Sequence, residues 1–216
     1  MRIQGLQKLT LLDYPEHTAC TVFTAGCNFR CPFCHNGDLV VNYTDYPALS
    51  EEDILRELKR RQGFIDGICI TGGEPLMRAD LEKCGRAIYD RGFPWGMVTN
   101  GLAMTRRRFD SLLAAGLHTA TVSLDGLESD HNFMRGNAKS FTAASEAIRM
   151  MAQTEDFVFD VVTCVNRRNI DKLDDIKNHL LSLGCKQWRL FTVFPVGRAA
   201  EDPELQLDRE QFHKML

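Results

Sequence analysis

The run Ala25-Gly26-Cys27-Asn28-Phe29-Arg30-Cys31-Pro32-Phe33-Cys34-His35-Asn36 holds three cysteines, with three residues between the first pair and two between the second. Spacings this short let one loop, folded back at Gly26 and Pro32, present all three sulfurs together. A four-iron, four-sulfur cluster is normally held by four thiolates, so three leave one iron open to an outside ligand. An open coordination position marks a catalytic rather than a structural metal site. The alternative is a non-catalytic iron–sulfur or zinc-binding module. Zinc would want a fourth Cys or His at finger or ribbon spacing, but no second Cys-x-x-Cys pair occurs and His35 directly adjoins Cys34.

Length and charge narrow the setting. At 216 residues the chain suits a single domain over 1–216, below the roughly 250 residues of a complete eight-fold barrel. The net charge of -3, from 26 basic and 29 acidic residues, gives no global basic field to attract nucleic acid. No apolar run is long enough for a membrane span, and the N-terminus does not read as a secretion signal. Eight cysteines in such a chain imply a reducing, cytoplasmic setting. Cys20, Cys69, Cys84, Cys164 and Cys185 are expected to be small core residues.

Apolar β-rich runs at 19–24, 67–71, 96–99, 119–124, 157–164 and 188–193 alternate with helical patterns. Ser50 is a candidate cap for the first helix, and Gly92, Gly116 and Gly184 sit just past three helix ends. This alternation predicts an α/β fold, a partial (β/α)6 barrel with parallel strands. Such barrels place ligands at the carboxyl ends of their strands. The cysteine loop, Gly72-Gly73-Glu74-Pro75, Asn100-Gly101 and Ser123-Leu124-Asp125-Gly126 all fall on that rim.

Two glycines let backbone approach a ligand closely, and Glu74 can accept from an ammonium. Ser123 and Asp125 can reach ribose hydroxyls or hold the turn to Gly126, and Arg135 offers a fork for a carboxylate. Residues 163–166 and 194–198 close the last two strands and suit either a planar base or packing. His17, His118, His179 and His213 show no mutual ligand spacing.

The cysteine loop, including Phe33 before its last cysteine, and the Gly72-Gly73-Glu74-Pro75 turn resemble the radical S-adenosylmethionine (SAM) superfamily. The first third, with Gly5-Leu6-Gln7-Lys8 and Leu12-Asp13-Tyr14-Pro15, resembles anaerobic ribonucleotide reductase activating proteins and related glycyl-radical activases. From Gly72 onward, Val98-Thr99-Asn100-Gly101, Met134-Arg135-Gly136 and Phe194-Pro195-Val196-Gly197-Arg198-Ala199 are similar to the radical SAM/SPASM peptide maturases. Those activases tend to carry Asp-x-Lys where this chain has Ser123-Leu124-Asp125-Gly126. The maturases carry a cysteine-rich extension after the barrel, whereas the last residues here, after a candidate cap at Asp208, read as a helix just begun. The expectation is either a shortened C-terminus or a core working without auxiliary clusters.

The resemblance implies a 4Fe-4S cluster on Cys27, Cys31 and Cys34, with SAM as the fourth ligand, held by Phe33, Gly72, Gly73, Glu74, Ser123, Asp125 and Arg135. It also implies reductive SAM cleavage and hydrogen abstraction from a polypeptide, either a precursor peptide or a glycyl-radical enzyme. A flavodoxin- or ferredoxin-like protein would supply the electron.

Overall fold

The structure, a computed structural model, describes residues 2–15 and 17–215. One seven-stranded sheet runs in sequential order through β1 (Ile3–Thr10), β2 (Ala19–Thr24), β3 (Gly67–Gly72), β4 (Trp95–Thr99), β5 (Leu117–Ser123), β6 (Val158–Val165) and β7 (Trp188–Thr192). The six expected strands are all present and parallel. The addition is β1, antiparallel to β2 at the edge of the sheet. The result is a curled half-barrel.

The connections are α1 (Gly37–Val40) and α2 (Glu51–Arg60), then α3 (Leu81–Tyr89), α4 (Arg106–Ala114), α5 (Glu128–Arg135) with α6 (Ser140–Ala152), and α7 (Leu173–Ser182). A last helix, α8 (Arg209–Met215), follows β7. Ser50 caps α2 by accepting from the Asp53 N–H at 3.0 Å. Asp208 and Gln211 cap the start of α8 reciprocally, at 2.9 and 3.1 Å. Gly92, Gly116 and Gly184 take the left-handed backbone expected past α3, α4 and α7.

Packing between sheet and helices forms the main core around Ile68, Ile70, Trp95, Phe109, Val122 and Ile148. The opposite face of the strands lines the barrel interior. There Tyr14, only 2% exposed, is seated over two strand glycines. A Cβ on Gly67 would lie 2.7 Å from the Tyr14 ring, and one on Gly96 would lie 3.5 Å from it. The Leu12-Asp13-Tyr14-Pro15 segment therefore plugs the amino-terminal floor of the barrel. Arg189 on β7 reaches across to the Leu12 carbonyl and pairs with Asp160, whose other oxygen accepts from Thr121 at 2.6 Å. This ties the open side of the half-barrel to the plug. Among the described residues no helix is long and apolar enough to cross a membrane.

Candidate active site

The site is assembled at the carboxyl ends of the strands. After β2, the chain turns at Gly26 (φ +88°) into the cysteine loop, which α1 closes through a bond from the Gly26 N–H to the Leu39 carbonyl, 2.9 Å. Gly73 is stacked directly on this turn. A Cβ there would lie 1.9 Å from the Gly26 oxygen, a clash that only glycine avoids. The Gly73 N–H donates to Thr24 O and the Glu74 N–H to Gly26 O, both at 2.8 Å, so the end of β3 is clamped to the cysteine loop. Gly72 needs its glycine for a related reason, since its φ is +104° and a Cβ would lie 2.7 Å from Thr24 O.

Glu74 is 2% exposed. Its Oε1 accepts from the Leu76 N–H at 3.0 Å and Thr99 Oγ1 at 2.7 Å, while Oε2 accepts from the Asn100 N–H at 2.7 Å. The carboxylate thus locks β3 to β4, with capacity left on Oε2. Asn100 extends the link by donating to Asn28 Oδ1 in the cysteine loop, 2.8 Å.

A second buried network rises from β5. Asp125 is fully buried and pairs with Arg135 Nη2 at 2.7 Å across α5. Its Oδ1 accepts from the Cys164 N–H at 3.0 Å, its carbonyl accepts from Asn169 Nδ2 at 2.6 Å, and its N–H donates to His131 Nδ1 at 2.9 Å. Burial pushes the His131 imidazole down to about 4, which keeps it neutral and able to accept. From its post on Asp125, Arg135 turns Nη1 toward Cys31 Sγ, 3.8 Å, and lays its guanidinium over the Phe33 ring, 5.2 Å from the centroid. Its buried Nε has no hydrogen-bond partner among the described residues. Ser123 ends β5 at 9% exposure.

The three thiols are packed with Phe29, Phe33, Met134, Val193 and Leu205 in a second apolar cluster, separate from the main core. Burial raises the Cys27 thiol to about 11 against the pull of the Phe29 N–H, which reaches Sγ at 3.4 Å. Cys31 is also raised by burial, with Arg135 opposing. Such sulfurs ionise when a bound cation compensates them. N–H groups aimed at two of them complement a sulfur-ligated, electron-accepting group. Among the described residues, no three of His, Cys, Asp and Glu are grouped to hold one metal ion. Three thiols gathered in one apolar cluster are the donor chemistry that an iron–sulfur cluster takes.

Cys27, Cys31, Cys34, Phe33, Gly72, Gly73, Glu74, Ser123, Asp125 and Arg135 all lie on this rim. Residues 163–166 do not present free faces: Thr163 Oγ1 is bound to Leu124 O at 2.5 Å and Asn166 Nδ2 to Cys164 O at 2.9 Å. Phe194, by contrast, is exposed and meets His35 edge-on, 6.0 Å between centroids. Cys20, Cys69 and Cys185 are buried as expected. Cys164 departs from that expectation by packing against the cysteine loop rather than the main core, where burial raises its thiol to about 12. His131 and Asn169 had no expected role. The four-residue spacing from His131 to Arg135 places both on one face of a helix, but only the fold brings Asn169 to Asp125.

Residues 21–180 match the radical SAM superfamily. This chain belongs to that superfamily. Its members are enzymes of radical chemistry that use a 4Fe-4S cluster and SAM. The chain is 30% identical over 191 residues to an AdoMet-dependent heme synthase of Methanosarcina barkeri, covering 84% of this chain and 52% of that protein. A probable GTP 3′,8-cyclase of Saccharolobus islandicus is 32% identical over 177 residues, 81% of this chain and 56% of that protein. A putative glycyl-radical enzyme activating enzyme of Methanocaldococcus jannaschii is 32% identical over 100 residues, 46% of this chain and 40% of that protein. The chain spans about half the length of the curated relatives it matches first.

Solved structures share the fold. Streptococcus suis SuiB bound to its precursor peptide SuiA superposes with a TM-score of 0.69 at 13% identity, over 90% of this chain and 44% of that one. For anSMEcpe with bound AdoMet the values are 0.68 and 18%, over 88% and 55%.

Proposed function

We propose that this radical SAM enzyme abstracts hydrogen from a polypeptide, as a peptide maturase or as a glycyl-radical enzyme activase. The observation that carries the proposal is the open side of the half-barrel beside the site. Every residue of β7 is only partly buried, and Phe194 and Val196, just beyond it, are 56% and 59% exposed. Met77 and Phe133, which also follow carboxyl ends of strands, are 54% and 53% exposed. An extended chain has both access and apolar side chains to lie on. SuiB, which binds a precursor peptide, and the similarity to an activating enzyme support the reading.

In this reading Cys27, Cys31 and Cys34 hold the cluster. Bound there, cluster and SAM supply one-electron chemistry that yields a hydrogen-abstracting agent, given an electron from a flavodoxin- or ferredoxin-like donor. Gly72 and Gly73, by packing on the cysteine loop, would bring the carboxyl end of β3 beside the cofactor, and Glu74 Oε2 would accept from its ammonium. Arg135 Nε, Ser123 and the Phe33 ring complete the cradle, and Asp125 holds the fork of Arg135. Phe29, Met134 and Val193 keep water from the sulfurs.

The broader matches to a heme synthase and a GTP cyclase favour a second reading, a small-molecule substrate. Reconstituted protein with SAM, reductant and a precursor peptide deuterated on carbon should give deuterated 5′-deoxyadenosine. An activase would instead raise a glycyl-radical EPR doublet on its partner enzyme. Transfer from a porphyrin or nucleotide, and from neither polypeptide, would overturn the proposal.

A further inference from the structure

We infer that Arg135, held by Asp125, sets the reduction potential of the cluster through Cys31, with His131 and Asn169 as positioning residues. This rests on the assignment of Cys31 as a cluster ligand and goes beyond the cofactor-binding role given to Arg135 Nε.

The guanidinium divides its nitrogens among three directions. Nη2 is anchored on Asp125 at 2.7 Å, Nη1 faces Cys31 Sγ at 3.8 Å, and Nε has no partner among the described residues. The side chain is only 11% exposed and Asp125 is fully buried, so solvent screens this charge weakly. A flexible arginine would sample many rotamers, but here every side of the anchor is tied down. Asp125 accepts from the Cys164 and Asn169 N–H groups and donates its own N–H to His131, and Phe33 supports the flat face of the fork. Four contacts converge on holding one N–H against one sulfur.

Hydrogen bonds and positive charge at a cluster sulfur stabilise the more negative, reduced state and raise the potential. Asp125 offsets part of that charge. The two residues therefore act with opposite sign, a pattern that a purely structural pair does not produce.

The test is an EPR-monitored redox titration of the reconstituted full chain, using dithionite and mediators, for wild type, Arg135→Gln, Arg135→Lys and Asp125→Asn. Iron and sulfide are counted in each sample. Arg135→Gln should shift the reduction equilibrium about tenfold toward the oxidised cluster, a fall of about 59 mV for a one-electron couple. Asp125→Asn should raise the potential, and Arg135→Lys, which keeps charge but loses the fork, should fall between wild type and Arg135→Gln. Clusters that load fully at an unchanged potential in Arg135→Gln, or that shift the same way in Arg135→Gln and Asp125→Asn, would overturn the inference. So would the failure of both arginine variants to load, which would assign Arg135 to assembly. A wild-type chain that takes up no iron would instead refute the cluster assignment itself.

Discussion

Gly73→Ala should disable the site through geometry alone. The new methyl carbon would lie 1.9 Å from the Gly26 oxygen and 2.7 Å from its carbonyl carbon. Ordinary contact needs roughly 3.5 Å, so the end of β3 and the cysteine loop must part by about 1.6 Å. That movement takes both 2.8 Å bonds, Gly73 N–H to Thr24 O and Glu74 N–H to Gly26 O, out of range. Overpacking costs about 1–3 kcal/mol and each lost bond about 1 kcal/mol, a total of about 3–5 kcal/mol. At about 2–4 °C per kcal/mol for a chain of this size, the melting temperature of the cluster-free protein should fall by roughly 6–20 °C. Iron loading should fall with it, because the turn that carries Cys27 moves. Gly37→Ala is the control: it lies within α1, where a Cβ meets only Arg198 Nε at 3.4 Å, and it should leave both readouts near wild type. Scanning calorimetry and iron analysis of the two variants decide the matter. A Gly73→Ala protein that melts within 2 °C of wild type (the ~2 °C set by a cost under about 1 kcal/mol) and loads iron fully would refute the clamp.

Three further outcomes follow from buried groups. His131 has its pKa lowered to about 4 from about 6.5 by burial, so its stabilising share is present above about pH 6.5 and is lost as pH falls toward 4. The unfolding free energy from urea melts should drop across that window by up to about 3 kcal/mol, and His131→Asn should flatten the slope; an equal slope in the variant would contradict this. Tyr14→Phe should be neutral or stabilising by about 1 kcal/mol, because the buried Tyr14 hydroxyl has no hydrogen-bond partner among the described residues; a loss above that size in denaturant melts would contradict this. Thr99→Val removes a donor from the buried Glu74 carboxylate and should cost about 1–3 kcal/mol in the same assay; no loss would count against the β3–β4 lock.

The parallel strands were legible because strands buried on both faces read as continuous apolar runs, and the rim was legible because its motifs follow those runs. β1 was not legible because Ile3–Thr10 is an edge strand with three residues partly buried, three exposed and Gly5 within it, which blurs the alternation. Helix α5 was hidden for another reason: its N-cap, Leu127, makes no side-chain bond, and its first turn is Glu128, Ser129 and Asp130. Cys164 looked like any buried thiol, since only the pairing of β6 with β5 brings it beside Asp125 and the cysteine loop. Tyr14 read as part of a motif, while its work as a floor plug depends on Gly67 and Gly96, far away in sequence. Local chemistry was readable, and the long-range supports that orient it were not.

The central claim is that the three-cysteine loop holds a SAM-cleaving cluster. Anaerobically reconstituted protein, given SAM and dithionite, should release 5′-deoxyadenosine, and Cys31→Ala, folded by circular dichroism, should release none. Equal release by that variant, or none from fully loaded wild type, would contradict the account.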